Sequence, residues 1–373
     1  MKKIEIKPVD TFFFKNHQTT VTGTDTRMTG MFPPRPNTIY GALRAAYIHE
    51  HTSFTDFNKG NDEEVRRWMG TPDEIGEFSI DYMGLNLKGD LLFPIPYDYQ
   101  VVEGEGGEVI AYPLNLQEDL NLSSRPSNWR LFSNRNEKSK GGADYFIKRS
   151  TFKDSVLSNK PITEFIKRSD LLAREDKLGI ALDYKRRKSE NSMLYSMVKW
   201  RFKEEGSLVV YTSSEADFAN VKFARLGGEN RPWYVRQAEE SFTLWSSSEL
   251  DKLKKKLQET RIARIVFLSP TIFAKGSVPS NYDGNFITLP NGVKVELLTS
   301  AVGRAELFGG WNIVYNKPKN RKPMVPAGSV FYVRLEESQI DDVLSLANGM
   351  NFTDEGAHEG FGFAIISSVN IHK

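Results

Sequence analysis

The 373-residue chain contains no cysteine. That absence excludes disulfides, thiolate metal sites and a cysteine nucleophile, and it fits a reducing, cytoplasmic interior. Histidine is scarce as well: His17, His49, His51, His358 and His372 are scattered, with no helical i, i+4 pair enclosing an acid. Neither a Walker sequence nor a nucleophile elbow occurs. Excess charge of one sign is also missing. Lys and Arg number 50 against 48 Asp and Glu, a formal net charge of +2, so any nucleic-acid surface must come from local clustering. No apolar run approaches membrane-spanning length, and Met1-Lys2-Lys3-Ile4-Glu5-Ile6 reads as a strand rather than a signal peptide. What is present is ordinary globular composition, 39% hydrophobic and 26% charged, over a length that suits roughly two domains.

The spacing of apolar and turn residues predicts an α+β chain. In the first half an extended run covers 4–14, a helix 37–50, strands 78–87 and 91–101, a second helix 161–175, and a short strand 178–182. Residues 103–155 are rich in Gly, Ser, Asn and charge and read as an insertion or mobile loop. The second half repeats the order. A strand covers 208–211, Ser248 caps a helix, strands follow at 262–268 and 329–335, Ser338 caps another helix, and 361–369 is the last strand. Both halves read as ferredoxin-like (RRM-like) units with antiparallel sheets, over 1–190 and 191–373.

Two segments carry the functional signal. Residues 356–363 place Gly356, His358, Gly360 and Gly362 just before an apolar strand, a turn whose glycines permit positive φ and close approach and whose amides could meet a phosphate. In the helix at 37–50, Ile39, Ala42, Leu43, Ala46 and Tyr47 form the core stripe, which leaves Asn37, Gly41 and Arg44 on the opposite face. A mid-helix glycine costs about 1 kcal/mol relative to alanine, so Gly41 points to something packed close to the backbone. Asn37 and Thr38 at the helix start, flanked by Arg35 and Arg44, suit a phosphate. Neither Arg44 nor Gly360 lies on an apolar stripe, so Arg44→Glu and Gly360→Val are expected to damage such a site while leaving the fold largely intact.

Three basic loops add to this: 185–188, 317–322 with Lys319 and Arg321, and 225–231 with Arg225 and Arg231 around two glycines. They suit a groove that follows a phosphate backbone, with Tyr315, Trp233 or Phe361 to stack on bases. Only His17 and His358 are placed to act as a general base, and neither shows a lysine or tyrosine partner in the sequence. A phosphate-bearing metabolite would also suit glycine turns beside cations.

Eight stretches in order resemble one known family: PPRPNTIYGALRAA at 33–46, LGIALDYKR at 178–186, MLYSMVKWRF at 193–202, ARLGGENRP at 224–232, SPTIFAKG at 269–276, GRAELFGGWN at 303–312, KPMVPAGSVFYV at 322–333 and GAHEGFGFAII at 356–366. The chain is similar to the family of the third subunit of the Cmr complex, the type III-B CRISPR effector, within the RAMP superfamily of paired ferredoxin-like RNA binders. The resemblance runs nearly end to end, and the C-terminal glycine loop is the superfamily hallmark. It implies an antiviral-defence subunit that is non-catalytic, with no cofactor, metal or membrane. Such a subunit grips the 5′ tag of the crRNA, pairs with the large polymerase/cyclase-like subunit and sits beside the repeated backbone RAMP subunits that cut target RNA. Carried onto this sequence, it puts RNA contacts on 35–44 and 356–362; Arg225, Arg231, Lys319 and Arg321 are added on charge. The alternative within the superfamily is a metal-independent crRNA-processing endoribonuclease with a histidine base.

Overall fold

The computed structural model describes residues 1–16, 27–28, 30–118, 128–183, 188–309, 311–312 and 317–369. His17, the basic residues 185–187, Tyr315 and His372 lie outside that set.

The fold is built from antiparallel sheets with few helices. The first strand, Lys2–Pro8, alternates as its sequence requires: Ile4 and Ile6 are fully buried and Lys7 is exposed. Both its edges are paired, with Gly206–Thr212 on one side and Pro232–Glu239 on the other. The complete sheet has eight strands in the order Ile166–Lys167, Tyr145–Lys148, Asp90–Pro94, Tyr82–Leu87, Gly206–Thr212, Lys2–Pro8, Pro232–Glu239 and Phe223–Arg225. Helix α1 (Pro36–His51) covers one face of it. Its stripe of Ile39, Ala42, Leu43, Ala46 and Tyr47 is buried against Ile4, Ile6, Leu208, Val210 and Trp233.

A second sheet has six strands in the order Phe286–Thr288, Lys294–Ala301, Val330–Arg334, Ile262–Phe267, Phe363–Ser368 and Met350–Asn351. The helix Ser247–Thr260 buries Leu253 and Leu257 against it and starts with a capping box of Ser246 and Glu249, two residues before the expected cap. The two sheets share one core. Tyr82 of the first stacks on Phe363 of the second at 4.8 Å, and Phe242 meets both edge-on at 5.0 and 5.1 Å.

Three expectations are corrected. The helix over 161–175 does not form: Ile162 bridges to Ala111, one helical turn covers Arg168–Leu171, and Leu172–Asp183 is a strand. That strand pairs antiparallel with Lys188–Phe202, so a long-range partner overrides local helix propensity. The strand at 208–211, expected to open the second unit, lies instead in the middle of the eight-stranded sheet, and a break near 190 would cut the hairpin strand Lys188–Phe202. Finally, the described part of 103–155 is mostly structured. Tyr99–Glu103 pairs with Val109–Pro113, Asn115–Glu118 pairs with Trp129–Phe132, and the helix Arg149–Ser158 buries Phe152 and Val156 completely.

Candidate nucleic-acid interface

The N-terminus of α1 and the C-terminal glycine turn come together, although more than 300 residues of chain separate them. Tyr40 is the joint. Its ring stacks on Phe78 at 5.5 Å and receives His358 edge-on at 5.2 Å. The amide of Ile80 donates to the His358 carbonyl at 2.8 Å, which ties the turn to the first sheet's approach. Gly356, Gly360 and Gly362 all have positive φ (73°, 93° and 76°) on either side of the single turn Ala357–Glu359. The glycines are therefore required by backbone conformation.

The turn's amides are mostly not available to a ligand, contrary to expectation. Those of Glu359, Gly360 and Phe361 bond within the turn, and that of Gly362 donates to Pro270 O at 2.8 Å. Among the described residues only the amides of Gly356, Ala357 and His358 make no hydrogen bond in this segment. The turn's outer surface instead carries the charge. Lys322 is paired with Glu355, and Lys319 lies near enough to act electrostatically on both His358 and Glu359. Burial, and then the Lys319 cation, lower the His358 pKa; burial raises that of Glu359 against the pull of Lys319. Removing a nearby positive charge makes protonation easier. Lys319→Ala should therefore move the His358 titration to higher pH, measured by proton NMR of the imidazole; an unmoved or downward titration would separate Lys319 from the turn.

His358 does have tyrosine and lysine neighbours, which the sequence did not reveal. The tyrosine contact is ring edge to ring face, with no hydroxyl-to-nitrogen hydrogen bond among the described residues. It packs the imidazole rather than forming an acid–base pair. No group of three or more His, Asp or Glu among the described residues could hold a metal, and no helix among them is long and apolar enough to cross a membrane.

The arginines expected around this site are partly committed elsewhere. Arg35 precedes α1, but its side chain crosses to the second half. It donates to Leu307 O at 3.1 Å and Met324 Sδ at 3.0 Å, lies 3.5 Å from Glu306, and faces the Phe308 ring. Burial lowers its pKa, opposed by Glu306. Arg44 caps the helix Glu63–Met69, donating to Met69 O at 2.7 Å and Thr71 O at 2.8 Å over the Phe57 ring. Its replacement by glutamate therefore acts on the fold as well as on any ligand, which corrects the expectation of an undisturbed fold. Asn37 and Thr38 sit in the first turn of α1, half-buried, and Asn37 Oδ1 has no hydrogen-bond partner. Gly41 is exposed, and a Cβ built there meets nothing within 4 Å. Nothing among the described residues packs on it; the face is open.

Lys319 and Arg321 are exposed in the loop beside the turn. The strand Phe223–Arg225 packs against α1 through buried Ala224, but among the described residues no hydrogen bond, ion pair or ring contact joins the Arg225 or Arg231 side chain to α1 or the turn. Arg231 is held by Asp10 and Glu229, and Glu229 also pairs with Lys177 and Lys199, which holds its carboxyl down at about 2. Two of the proposed stacking residues are likewise excluded. Trp233 is fully buried with its indole N–H on Leu226 O, and Phe361 is fully buried against Phe308.

The chain matches the family described as CRISPR-associated protein (Cas_Cmr3) over residues 4–370. It is 24% identical over 241 residues to the CRISPR system CMR subunit Cmr3 of Saccharolobus solfataricus, a match that covers 62% of this chain and 62% of that protein's length. It aligns with a chain in the cryo-EM structure of the type III-B Cmr-beta bound to cognate target RNA and AMPPnP, with a TM-score of 0.52 and 14% identity over 98% of this chain and 99% of that one. At that identity the structural likeness concerns the fold alone. A family match from the first strand to the end of the last places the chain: it belongs to the Cas_Cmr3 family of CRISPR-associated proteins.

Proposed function

We propose that this chain is a non-catalytic RNA-binding subunit that grips the 5′ tag of the crRNA, docks the large polymerase/cyclase-like subunit and adjoins the repeated backbone subunit. The observation that carries the RNA reading is the contact of Tyr40 in α1 with His358 of the turn, beside which Lys319 lies; Gly41, next to Tyr40 in the chain, has open space before it. A helix N-terminus beside a cation favours phosphate, and the bare glycine lets a backbone approach closely. Two ferredoxin-like units belong to the same reading. In the first sheet Tyr82–Leu87, Gly206–Thr212, Lys2–Pro8 and Pro232–Glu239 lie side by side, and in the second Lys294–Ala301, Val330–Arg334, Ile262–Phe267 and Phe363–Ser368 do. Each set has the spatial order second, third, first, fourth along the chain, and we place the division near residue 240.

Gly41→Glu tests the site with little risk to the fold, because the new side chain enters open space. Complexes reconstituted with it should lose tag-bearing crRNA, while the melting temperature of the subunit stays at the parent value. About three phosphate contacts would give the parent a salt slope near −2. The protein should leave repeat RNA uncut with or without divalent metal. Full retention of the tag by Gly41→Glu would remove the site; cutting that His358→Ala abolishes would favour the processing nuclease.

A further inference from the structure

The face of the eight-stranded sheet that points away from α1 is covered by the second sheet at Tyr82, Val209 and Tyr211, but its other edge is bare. There the pairing register builds three cross-strand rows. Arg225 stands opposite Pro232, with Val9 beyond it; Phe223 stands opposite Tyr234, which stands opposite Lys7; Arg236 stands opposite Glu5. Phe223 and Tyr234 are 54% and 51% exposed, with ring centroids 5.0 Å apart, and nothing among the described residues covers them. Each row carries one exposed cation: Arg225, Lys7 and Arg236. None of the three makes an ion pair among the described residues, whereas nearby Arg231 is held by two carboxylates.

We infer that this strip is a second nucleic-acid surface, a stacking platform for single-stranded RNA separate from the α1 site. Alternate residues on one strand face are about 6.8 Å apart, so the rows set a cation on either side of, and level with, a two-ring plate. Aromatic faces accept any base, and flanking cations take up the phosphates, which is the chemistry of sequence-tolerant single-strand binding. Charge on an edge strand also discourages sheet-to-sheet pairing. That explains Arg225 but not two large rings left half bare beside it. Glu5 does not cancel the field at the rings, because it is turned into the sheet, where its carboxylate accepts from Ser207 Oγ at 2.6 Å. This surface goes beyond the tag site: it lies on the opposite side of the sheet from α1, so the two can be tested apart.

The probe is fluorescein-labelled oligouridine of 16 nucleotides, which contains no tag, titrated into the full-length chain at low salt and followed by anisotropy. Phe223→Ala/Tyr234→Ala should weaken binding at least tenfold without moving the melting temperature, since both rings are already half in water. Arg225→Gln/Arg236→Gln should reduce the magnitude of the salt slope by about 1.4 and leave the stacking contribution in place. This site is read on the tagless oligomer and the tag site on crRNA retention by reconstituted complexes, so failure here is distinguishable from failure of the tag site. A parent chain that does not bind oligouridine, or a ring double variant that binds as the parent does, overturns the proposal. If that variant binds RNA normally but releases a neighbouring subunit from the reconstituted complex, the strip is a protein interface and the proposal is also overturned.

Discussion

Asp98→Ala should destabilise the chain by about 3–5 kcal/mol, the range for removing one member of a buried ion pair. Arg264 and Asp98 are both essentially inaccessible to water. The guanidinium donates to Asp98 Oδ2 from Nε at 2.9 Å and from Nη2 at 2.5 Å, Nη1 donates to Val156 O at 3.2 Å, and the Tyr332 hydroxyl donates to the same carboxylate oxygen at 2.6 Å. Burial by itself would lower the arginine's pKa; Asp98, Tyr332 and Tyr99 outweigh it and hold the value above the ordinary one. Without Asp98 the guanidinium cannot escape by losing its proton, and it is left charged in a dry core. The loss is also topological, because Asp98 precedes the strand Tyr99–Glu103, Val156 is in the helix Arg149–Ser158, and Arg264 is in the centre strand of the second sheet. The three side chains and carbonyls clamp the insertion onto that sheet. Denaturant unfolding measures the loss. Arg264→Met/Asp98→Leu should recover most of it, since an apolar pair needs no compensation; an equal loss in the single and double variants would assign the effect to packing rather than to the orphaned charge.

Local periodicity reported the elements whose partners did not matter. The α1 stripe is visible in Ile39, Leu43 and Tyr47 because one face of a 16-residue helix repeats often enough to be unambiguous. The strands at 262–267, 330–334 and 363–368 are short apolar runs bounded by turns and were equally legible. Pairing was not. Residues 172–175, expected as helix, extend the strand expected at 178–182 because 188–202 is there to pair with them, and the place of 206–212 between two distant strands is a property of the whole chain. At the site, the glycines' conformational role was readable from their spacing, but the direction of their amides was not: that depended on Pro270, which is far away in sequence. Arg35 and Arg44 flank the start of α1 by their sequence positions yet are occupied by Leu307, Met69 and Thr71, contacts that no spacing rule exposes. The burial of Trp233 has a similar origin. Trp233 and Tyr234 are neighbours on one strand and point to opposite faces, so composition cannot say which is buried; only the register does, and it buries the tryptophan.

Gly360→Val should cost about 2–6 kcal/mol, enough that loss of crRNA in this variant cannot be attributed to a lost RNA contact. Two independent costs add. The residue sits at φ 93°, where a β-branched side chain is strained by about 1–3 kcal/mol. Its Cβ would also lie 2.8 Å from Ile80 Cγ2 and 3.5 Å from Ile80 O, and overpacking of a tight contact costs about 1–3 kcal/mol. Ile80 cannot simply retreat, because its amide is bonded to His358 O within the same joint. The two costs are separable. Ile80→Ala in the Gly360→Val background should relieve the steric part and leave the backbone part, so the pair should couple by about 1–2 kcal/mol in a double-mutant cycle. Gly41→Ala is the opposing control: its φ is helical and its surroundings are open, so it should stabilise by up to about 1 kcal/mol. Thermal and denaturant unfolding of the four variants decide it. A Gly360→Val protein as stable as its parent, or one that shows no coupling to Ile80, would mean that the turn does not press on the first sheet at this point. The closeness of Gly360 to Ile80, rather than to a ligand, is then the reason that glycine is needed there, while Gly41 is the position where nothing among the described residues requires it.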